Sequence, residues 1–458
     1  MTDRTGQRSE RSSTAASPSG ENPAREGAAP FSAPSTGTPS PGGPTPGTPS
    51  PGELTPGTPS TGALPDGPPP DGPRPGSSSP GGLPPDSPPS DGEPSERPAS
   101  ACGAARHGPT DVLLRPPPPA VSPPRPVGAR RMWPRSFADR LTSPLPGVRA
   151  LARLAREGAV RPVSSALAEE IPKLPFAPGP MPDPGPDTVA VTWAGHASWV
   201  VRIGGLTVLT DPVWSRKILG TPARITPVGV AWQDLPKVDA VVISHNHYDH
   251  LDAPTLRRLP RDTPLFVPAG LGGWCRKRGF TTVTELDWWE GAELPSPAGS
   301  SRAQPGGGRV RFDFVPAHHW SKRSLTDTCR SLWGGWVLTD RHKQRVYFAG
   351  DTGYGHWFGE IGRRFPGIDL ALLPIGAYDP RWMLRPVHTD PEEAVRACQD
   401  LGAPRMAPMH WSTFLLSEEP PLEPLTRVRA AWRKAELPRE DLWDLPVGAS
   451  RVLEPAHP

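Results

Sequence analysis

Cysteine is scarce in this chain of 458 residues: there are four, Cys102, Cys275, Cys329 and Cys398, far apart and without a C-x-x-C pair. That spacing argues against a disulfide framework and against a thiolate zinc site, and makes a reducing compartment the simpler expectation. Long apolar runs are lacking too. No stretch approaches the roughly 18 residues needed to span a bilayer. Met1-Thr2-Asp3-Arg4 leads into polar residues rather than the apolar core of a secretion signal, so a cytoplasmic protein is expected. An excess of charge of one sign is the third absence. The formal net charge is +3 and the basic residues are spread rather than blocked, which gives no support for nucleic-acid binding.

Proline is what the chain has in quantity, 70 in all, of which 33 fall in residues 1–130. Repeats such as Thr-Pro-Gly-Thr-Pro-Ser there lack the aromatic and β-branched residues whose burial would offset the entropy of ordering them. Residues 1–130 are therefore expected to be a disordered, partly polyproline-like tail. Residues 131–186 form a lead-in, and 187–458 one large domain that holds the apolar runs. Within the lead-in, Val148, Leu151, Ala152, Leu154 and Ala155 alternate with Arg149, Arg153 and Arg156, a basic amphipathic helical pattern. Packing on the main domain is the plainer reading of that helix, and contact with a membrane surface the alternative.

From Thr188 the pattern turns to short strands. Thr188–Trp193, Ser198–Ile203 and Leu206–Thr210 read as an antiparallel meander, and Ala240-Val241-Val242-Ile243 as a buried strand. Further strands are expected at Leu265–Val267, Val310–Val315, Leu332–Leu338, Val346–Phe348, Leu370–Leu373 and Arg405–Met409, with helices near Thr255–Leu259, Pro391–Leu401 and Leu422–Ala435. Asp390-Pro391-Glu392-Glu393 is a helix start: an Asp cap, proline at the first position and acids in the first turn. Strands followed by mixed strands and helices imply an α+β protein with two sheets packed together and flanked by helices.

The densest chemistry is His245-Asn246-His247-Tyr248-Asp249-His250, directly after the apolar run at 240–243. In extended backbone His245 and His247 point the same way and can face one metal, while the following turn redirects Asp249 and His250 toward a second. Imidazoles with a carboxylate suit zinc. Two ions need more donors, and the candidates are His318 or His319, Asp351 and His410, each just after an apolar strand. The neighbouring Trp320 favours His319 over His318. Asp351, with two carboxylate oxygens, is the natural bridge between ions. His388, just before the helix cap, is a further candidate near the site, and His196 in Gly-His-Ala-Ser reads equally as a structural or a catalytic residue.

These residues resemble the five ligand motifs of the metallo-β-lactamase superfamily. Among its branches the chain most resembles N-acylphosphatidylethanolamine-hydrolysing phospholipase D, through Thr192–Ser198, Leu209–Val213, Pro316–Arg323, Gly350–Tyr354, Pro374–Tyr378, Pro380–Trp382 and His388–Ala394. These segments spread across about 188–415. The resemblance implies a four-layer αββα sandwich and two zinc ions. It places His245, His247 and His319 at one ion, Asp249, His250 and His410 at the other, and Asp351 between them, and so settles His319 over His318. It makes Asp211 a buried acid supporting the ligand loop, and Asp249, Asp351 and His388 the catalytic set, with His388 near the scissile phosphate. The chain departs from the animal enzymes in its tail and in an insertion-like stretch, Pro295–Gly308.

The expected activity is hydrolysis of a phospholipid of that type to phosphatidic acid and N-acylethanolamine by a metal-bridging hydroxide. A lactonase or a thioester or ester hydrolase would use the same metals on a different bond, and a non-enzymatic scaffold would act through the Pro-rich tail. The expected partner is a phospholipid or other small-molecule ester, with peripheral membrane contact and a homodimer as further associations. Trp320, Trp382 and Trp411 are candidates to line an apolar cleft.

Overall fold

The structure is a computed structural model that describes residues 131–157, 169–296 and 308–453. The expected tail, residues 158–168 of the lead-in and most of the insertion-like stretch lie outside the described residues.

The strands are β1 (Val189–Gly195), β2 (Ser198–Ile203), β3 (Leu206–Thr210), β4 (Ala240–Val242), β5 (Leu265–Pro268), β6 (Val283–Leu286), β7 (Gly291–Pro295), β8 (Arg309–Val315), β9 (Gly335–Thr339), β10 (Arg345–Phe348), β11 (Leu370–Pro374), β12 (Arg405–Met409) and β13 (Ser450–Leu453). Among the described residues they form a seven-stranded sheet, β13-β1-β2-β3-β4-β5-β6, and a six-stranded sheet, β12-β11-β10-β9-β8-β7. The first three strands are the expected antiparallel meander, and β4 to β6 add to it in parallel.

Both faces of the first sheet are buried, and strict alternation sorts its side chains. Val201, Val208, Val242 and Phe266 face the second sheet, where Phe266 stacks on Phe312 with ring centroids 4.1 Å apart. Val200, Leu209, Val241, Leu265 and Val267 face the other way, onto Leu256, Leu271 and Cys275. Those three belong to or adjoin two short helices. The helices of the domain, after α1 (Val148–Glu157), are α2 (Ala253–Leu256), α3 (Gly272–Arg276), α4 (Trp357–Arg364), α5 (Arg381–Leu384), α6 (Pro391–Asp400) and α7 (Glu423–Lys434). Phe358 and Ile361 of α4, Ala394 and Val395 of α6 and Val428 and Trp432 of α7 join the core on the far side of the second sheet. The layers are thus helix, sheet, sheet, helix, the expected αββα order.

Three differences from the sequence reading have local causes. The expected strand Leu332–Leu338 begins only at Gly335, because Leu332 N–H donates to the Ala269 carbonyl at 2.8 Å and Gly334 N–H to the Ser244 carbonyl at 3.1 Å. Those residues are tied to loops of the other sheet, and a Cβ at Gly334 would collide with the Val315 carbonyl. Strands β6, β7 and β13 lack the apolar alternation of the others, with burial that is only partial along most of their length. Pro295, read as the start of an insertion, is the last residue of β7 and pairs with Arg309 in the β7–β8 hairpin.

The lead-in is packed on the domain. Phe137 is 1% exposed within the main core, and its N–H donates to the Cys329 carbonyl at 2.7 Å. Arg131 and Arg140 pair with Glu290 and Asp287. On α1, Arg153 lies 4.0 Å over the Trp382 ring, and Glu157 accepts a hydrogen bond from Trp382 Nε1 at 2.9 Å. Phe137→Ala is expected to cost about 3 kcal/mol of stability, since it removes a fully buried ring; an unchanged urea midpoint would show that the lead-in is not part of the folded unit.

Candidate metal centre

The candidate residues come together because of strand direction. β1 is antiparallel to β2 and β2 to β3, and β4 is parallel to β3, so β1, β3 and β4 end on one rim. In the second sheet β8, β10, β11 and β12 likewise share a direction. His196 follows β1, Asp211 follows β3, and His245, His247, Asp249 and His250 follow β4. His319 follows β8, Asp351 follows β10 and His410 follows β12. His388 lies in the connection after β11, just ahead of the Asp390–Glu393 capping box that starts α6. Several of the turning residues adopt left-handed backbone: His196 at φ 56°, Asp211 at 32°, Gly350 at 62° and His410 at 66°. Gly350 is required where it stands, since a Cβ there would run into Ser244.

Two clusters result. His247 Nδ1 lies 2.8 Å from His245 Nε2 and 3.2 Å from His319 Nε2. Close by, His250 Nε2 and His410 Nε2 are 3.3 Å apart, and Asp249 Oδ2 is 3.3 Å from the first and 3.5 Å from the second. Asp351 stands between the clusters. Its Oδ1 is 2.9 Å from His410 Nε2, while Oδ2 is 3.1 Å from His250 Nε2 and 3.8 Å from His319 Nε2. His388 Nδ1 is 3.9 Å from the same Oδ2 and is buried without a hydrogen-bond partner.

Groups behind the cluster hold the rings. Asp211, fully buried, accepts hydrogen bonds from Ser244 N–H at 2.7 Å and Ser244 Oγ at 2.5 Å, and its Oδ2 lies 2.7 Å from His250 Nδ1. Ser244 Oγ is also 2.9 Å from His245 Nδ1, so Asp211 and Ser244 together set the orientation of both rings. His319 Nδ1 lies 3.0 Å from the Val387 carbonyl, which leaves Nε2 for the centre.

The electrostatics divide the imidazoles. Burial and neighbouring rings push His245 and His319 well below the usual histidine range, and burial brings His247 to about 4 and His388 to about 4. Burial opposes a charge on His250 as well, yet Asp351 and Asp249 outweigh it and hold His250 well above its usual value. His410 is raised to about 9 against the same burial, by Asp351 and its hydrogen bond to Asp249. The two carboxyls resist burial and stay well below the ordinary range because charged His250 faces both.

This donor set fits metal ions. His245 and His319 spend their Nδ1 hydrogens on Ser244 Oγ and the Val387 carbonyl, so both turn a bare Nε2 lone pair toward His247 Nδ1, which carries at most one hydrogen. Ligands about 2.1 Å from a tetrahedral zinc ion stand about 3.4 Å apart, close to the separations here. The donor atoms of His245, His247 and His319 all lie within 4.8 Å of one another, as do those of Asp249, His250 and His410 together with His196. His245, His250 and His319 each have the hydrogen-bonded outer partner usual for metal-binding histidines, whereas His410 Nδ1 is buried and unpartnered.

All eight residues expected at the centre are brought to one place. His318 is not: its Nδ1 lies 2.8 Å from Thr142 Oγ1, and its ring turns toward His356 and Trp357. Trp411 is corrected from cleft to core. It is 3% exposed and stacks on Trp193 at 5.6 Å, because left-handed turns at His410 and Ser412 fold the side chain between them inward. Trp320 does border the site, 4.9 Å from the His247 ring, whereas Trp382 packs on Arg153. The role of Ser244 went unread, and a lone serine ahead of His245 carried no signal for it. His196, left open between two readings, lies in the cluster with Nε2 3.0 Å from Asp249 Oδ2.

Residues 207–411 match the family described as the beta-lactamase superfamily domain. An uncharacterised protein of Mycobacterium tuberculosis is 39% identical over 274 residues, 56% of this chain and 69% of its own length. N-acyl-phosphatidylethanolamine-hydrolyzing phospholipase D 1 of Caenorhabditis elegans is 36% identical over 267 residues, 55% of this chain and 71% of its own length. The mitochondrial N-acyl-phosphatidylethanolamine-hydrolyzing phospholipase D of Saccharomyces cerevisiae is 38% identical over 251 residues, 53% of this chain and 52% of its own length. The chain belongs to the metallo-β-lactamase superfamily and is a metal-dependent hydrolase. Within that superfamily it is similar to the N-acylphosphatidylethanolamine-hydrolysing phospholipases D.

Metal uptake should release protons. The folded pKa of His410 is about 9 and that of His250 lies well above its usual value, so both rings are charged in metal-free protein at pH 7. A ring must be neutral to donate to an ion. Zinc titration of metal-free protein at pH 7 in buffers of differing ionisation enthalpy should report about two protons released per chain; heats that do not depend on the buffer would contradict this charge state.

Proposed function

We propose that the chain is a zinc-dependent phosphodiesterase that holds two zinc ions and hydrolyses a phospholipid of the N-acylphosphatidylethanolamine type to phosphatidic acid and N-acylethanolamine. The observation that carries this reading is Asp351, whose carboxylate touches both sets of buried donors: Oδ1 lies 2.9 Å from His410 Nε2, and Oδ2 lies 3.1 Å from His250 Nε2 and 3.8 Å from His319 Nε2. His245, His247 and His319 would hold one ion, Asp249, His250 and His410 the other, with Asp351 shared. When bound, such ions supply Lewis acidity toward a phosphoryl oxygen and lower the pKa of water to near neutrality.

The chain's own residues supply the rest. Asp351, a buried carboxylate in reach of both donor sets, can orient an attacking water and accept its proton. His388 is kept neutral by burial, and its unpartnered Nδ1 can serve a phosphate oxygen. Trp320 supplies an apolar wall beside His247. Relatives that are phospholipases D by name support the choice of phosphodiester over lactone. A lipid substrate implies peripheral contact with a membrane surface. No helix among the described residues is long and apolar enough to cross a membrane.

The test is an assay of the purified chain on N-acylphosphatidylethanolamine, phosphatidylethanolamine and a panel of lactones, with His247→Ala as control. Phosphatidic acid released from the first substrate, and lost in the variant by at least about 100-fold, is the expected result. Turnover of lactones or simple esters alone would remove the phospholipid assignment.

A further inference from the structure

His196 occupies the turn between β1 and β2 and is 1% exposed. Its main chain is held on three sides. The N–H donates to Thr413 Oγ1 at 2.7 Å, and the carbonyl accepts from Trp193 Nε1 at 2.8 Å and from His410 N–H at 3.2 Å. These contacts keep the residue in the left-handed region, at φ 56°, which L side chains enter at a cost. They also tie the turn directly to the backbone of His410.

The side chain points into the donor cluster rather than into the core. Nε2 is 3.0 Å from Asp249 Oδ2, and the ring centroid is 4.1 Å from that of His410 and 5.3 Å from that of His250. Phe414 closes the outer side, edge-on at 5.3 Å. An ionised carboxylate only accepts, so the hydrogen must sit on Nε2. Nδ1 is then a bare lone pair, and it is buried with no partner. A histidine kept for packing alone would be expected to satisfy both nitrogens. This one leaves one nitrogen orphaned and directs the other at Asp249.

We propose that His196 is a positioning residue of the subsite formed by Asp249, His250 and His410, fixing the Asp249 carboxylate by a hydrogen bond and the His410 ring by contact. The inference rests on the two-ion reading of the centre. Its content is that this subsite, unlike the one built on His245, His247 and His319, takes part of its geometry from a residue on the first strand pair. The β1–β2 turn therefore governs occupancy of one ion and not the other.

The test is zinc titration of the metal-free full-length chain against a competing chromophoric chelator, with His196→Asn and His196→Gln beside the wild type. Asn tolerates left-handed backbone, so it preserves the turn, but its amide falls short of Asp249. Gln carries an amide donor about as far out as Nε2. The wild type should bind in two steps. His196→Asn should weaken one step by about 10- to 100-fold and leave the other unchanged, the usual range for an outer partner of a ligand, and His196→Gln should recover most of the loss. Two unchanged steps in His196→Asn, or equal weakening of both, would overturn the role of His196 while leaving the two-ion reading intact. A wild type that lacks a second step would overturn both.

Discussion

Imidazoles and carboxylates packed nitrogen to nitrogen out of water set the terms for the rest of this molecule. Removing such groups from solvent costs several kcal/mol each unless charges and lone pairs are answered. Without ions the protein answers part of the cost by splitting the rings, with His250 and His410 charged against Asp249 and Asp351 and with His245 and His319 neutral. What stays unanswered is informative. His196, His388 and His410 each keep a buried nitrogen with no partner. A fold that tolerates these groups holds them with two sheets in which β1, β3 and β4 of one and β8, β10 and β12 of the other deliver their carboxyl ends to one rim.

The rim is also where the backbone departs from ordinary conformations. His196, Asp211, Gly350, His410 and Ser412 all have positive φ. His196, Asp211, Gly350 and His410 come within two residues of the end of a strand, where the chain must turn across the strand ends rather than continue along them. Such strain persists only where surrounding contacts determine it. Here the Asp211–Ser244 hydrogen bonds and the Thr413 bond to His196 provide that determination. The second sheet contributes through Trp336, whose Nε1 donates to the Ile243 carbonyl at 2.9 Å, just before the ligand loop begins.

Much of this was legible in the sequence because the signals are local. Six consecutive residues, His245 to His250, carry half of the donors, and the apolar run before them marks a strand. Asp351 and His410 could be found because each follows such a run, while the run before position 318 left His318 and His319 as alternatives that the family resemblance decided. The contacts of His196 could not, since they join residues 53 positions apart, and a lone histidine in a turn has no periodicity to place it. β7 and β13 were missed because they are half-exposed edge strands without apolar alternation. Trp411 was misplaced for a related reason: its direction depends on the φ values of its two neighbours, which no spacing rule encodes.

The central claim is that one buried centre holds two ions, with Asp351 between them. Anomalous X-ray diffraction at the zinc absorption edge, on crystals of zinc-loaded protein, addresses it most directly. The account predicts two peaks about 3.5–4 Å apart, the usual spacing of two-metal sites, one among His245, His247 and His319 and the other among Asp249, His250 and His410. A single peak, or peaks away from Asp351, would contradict it.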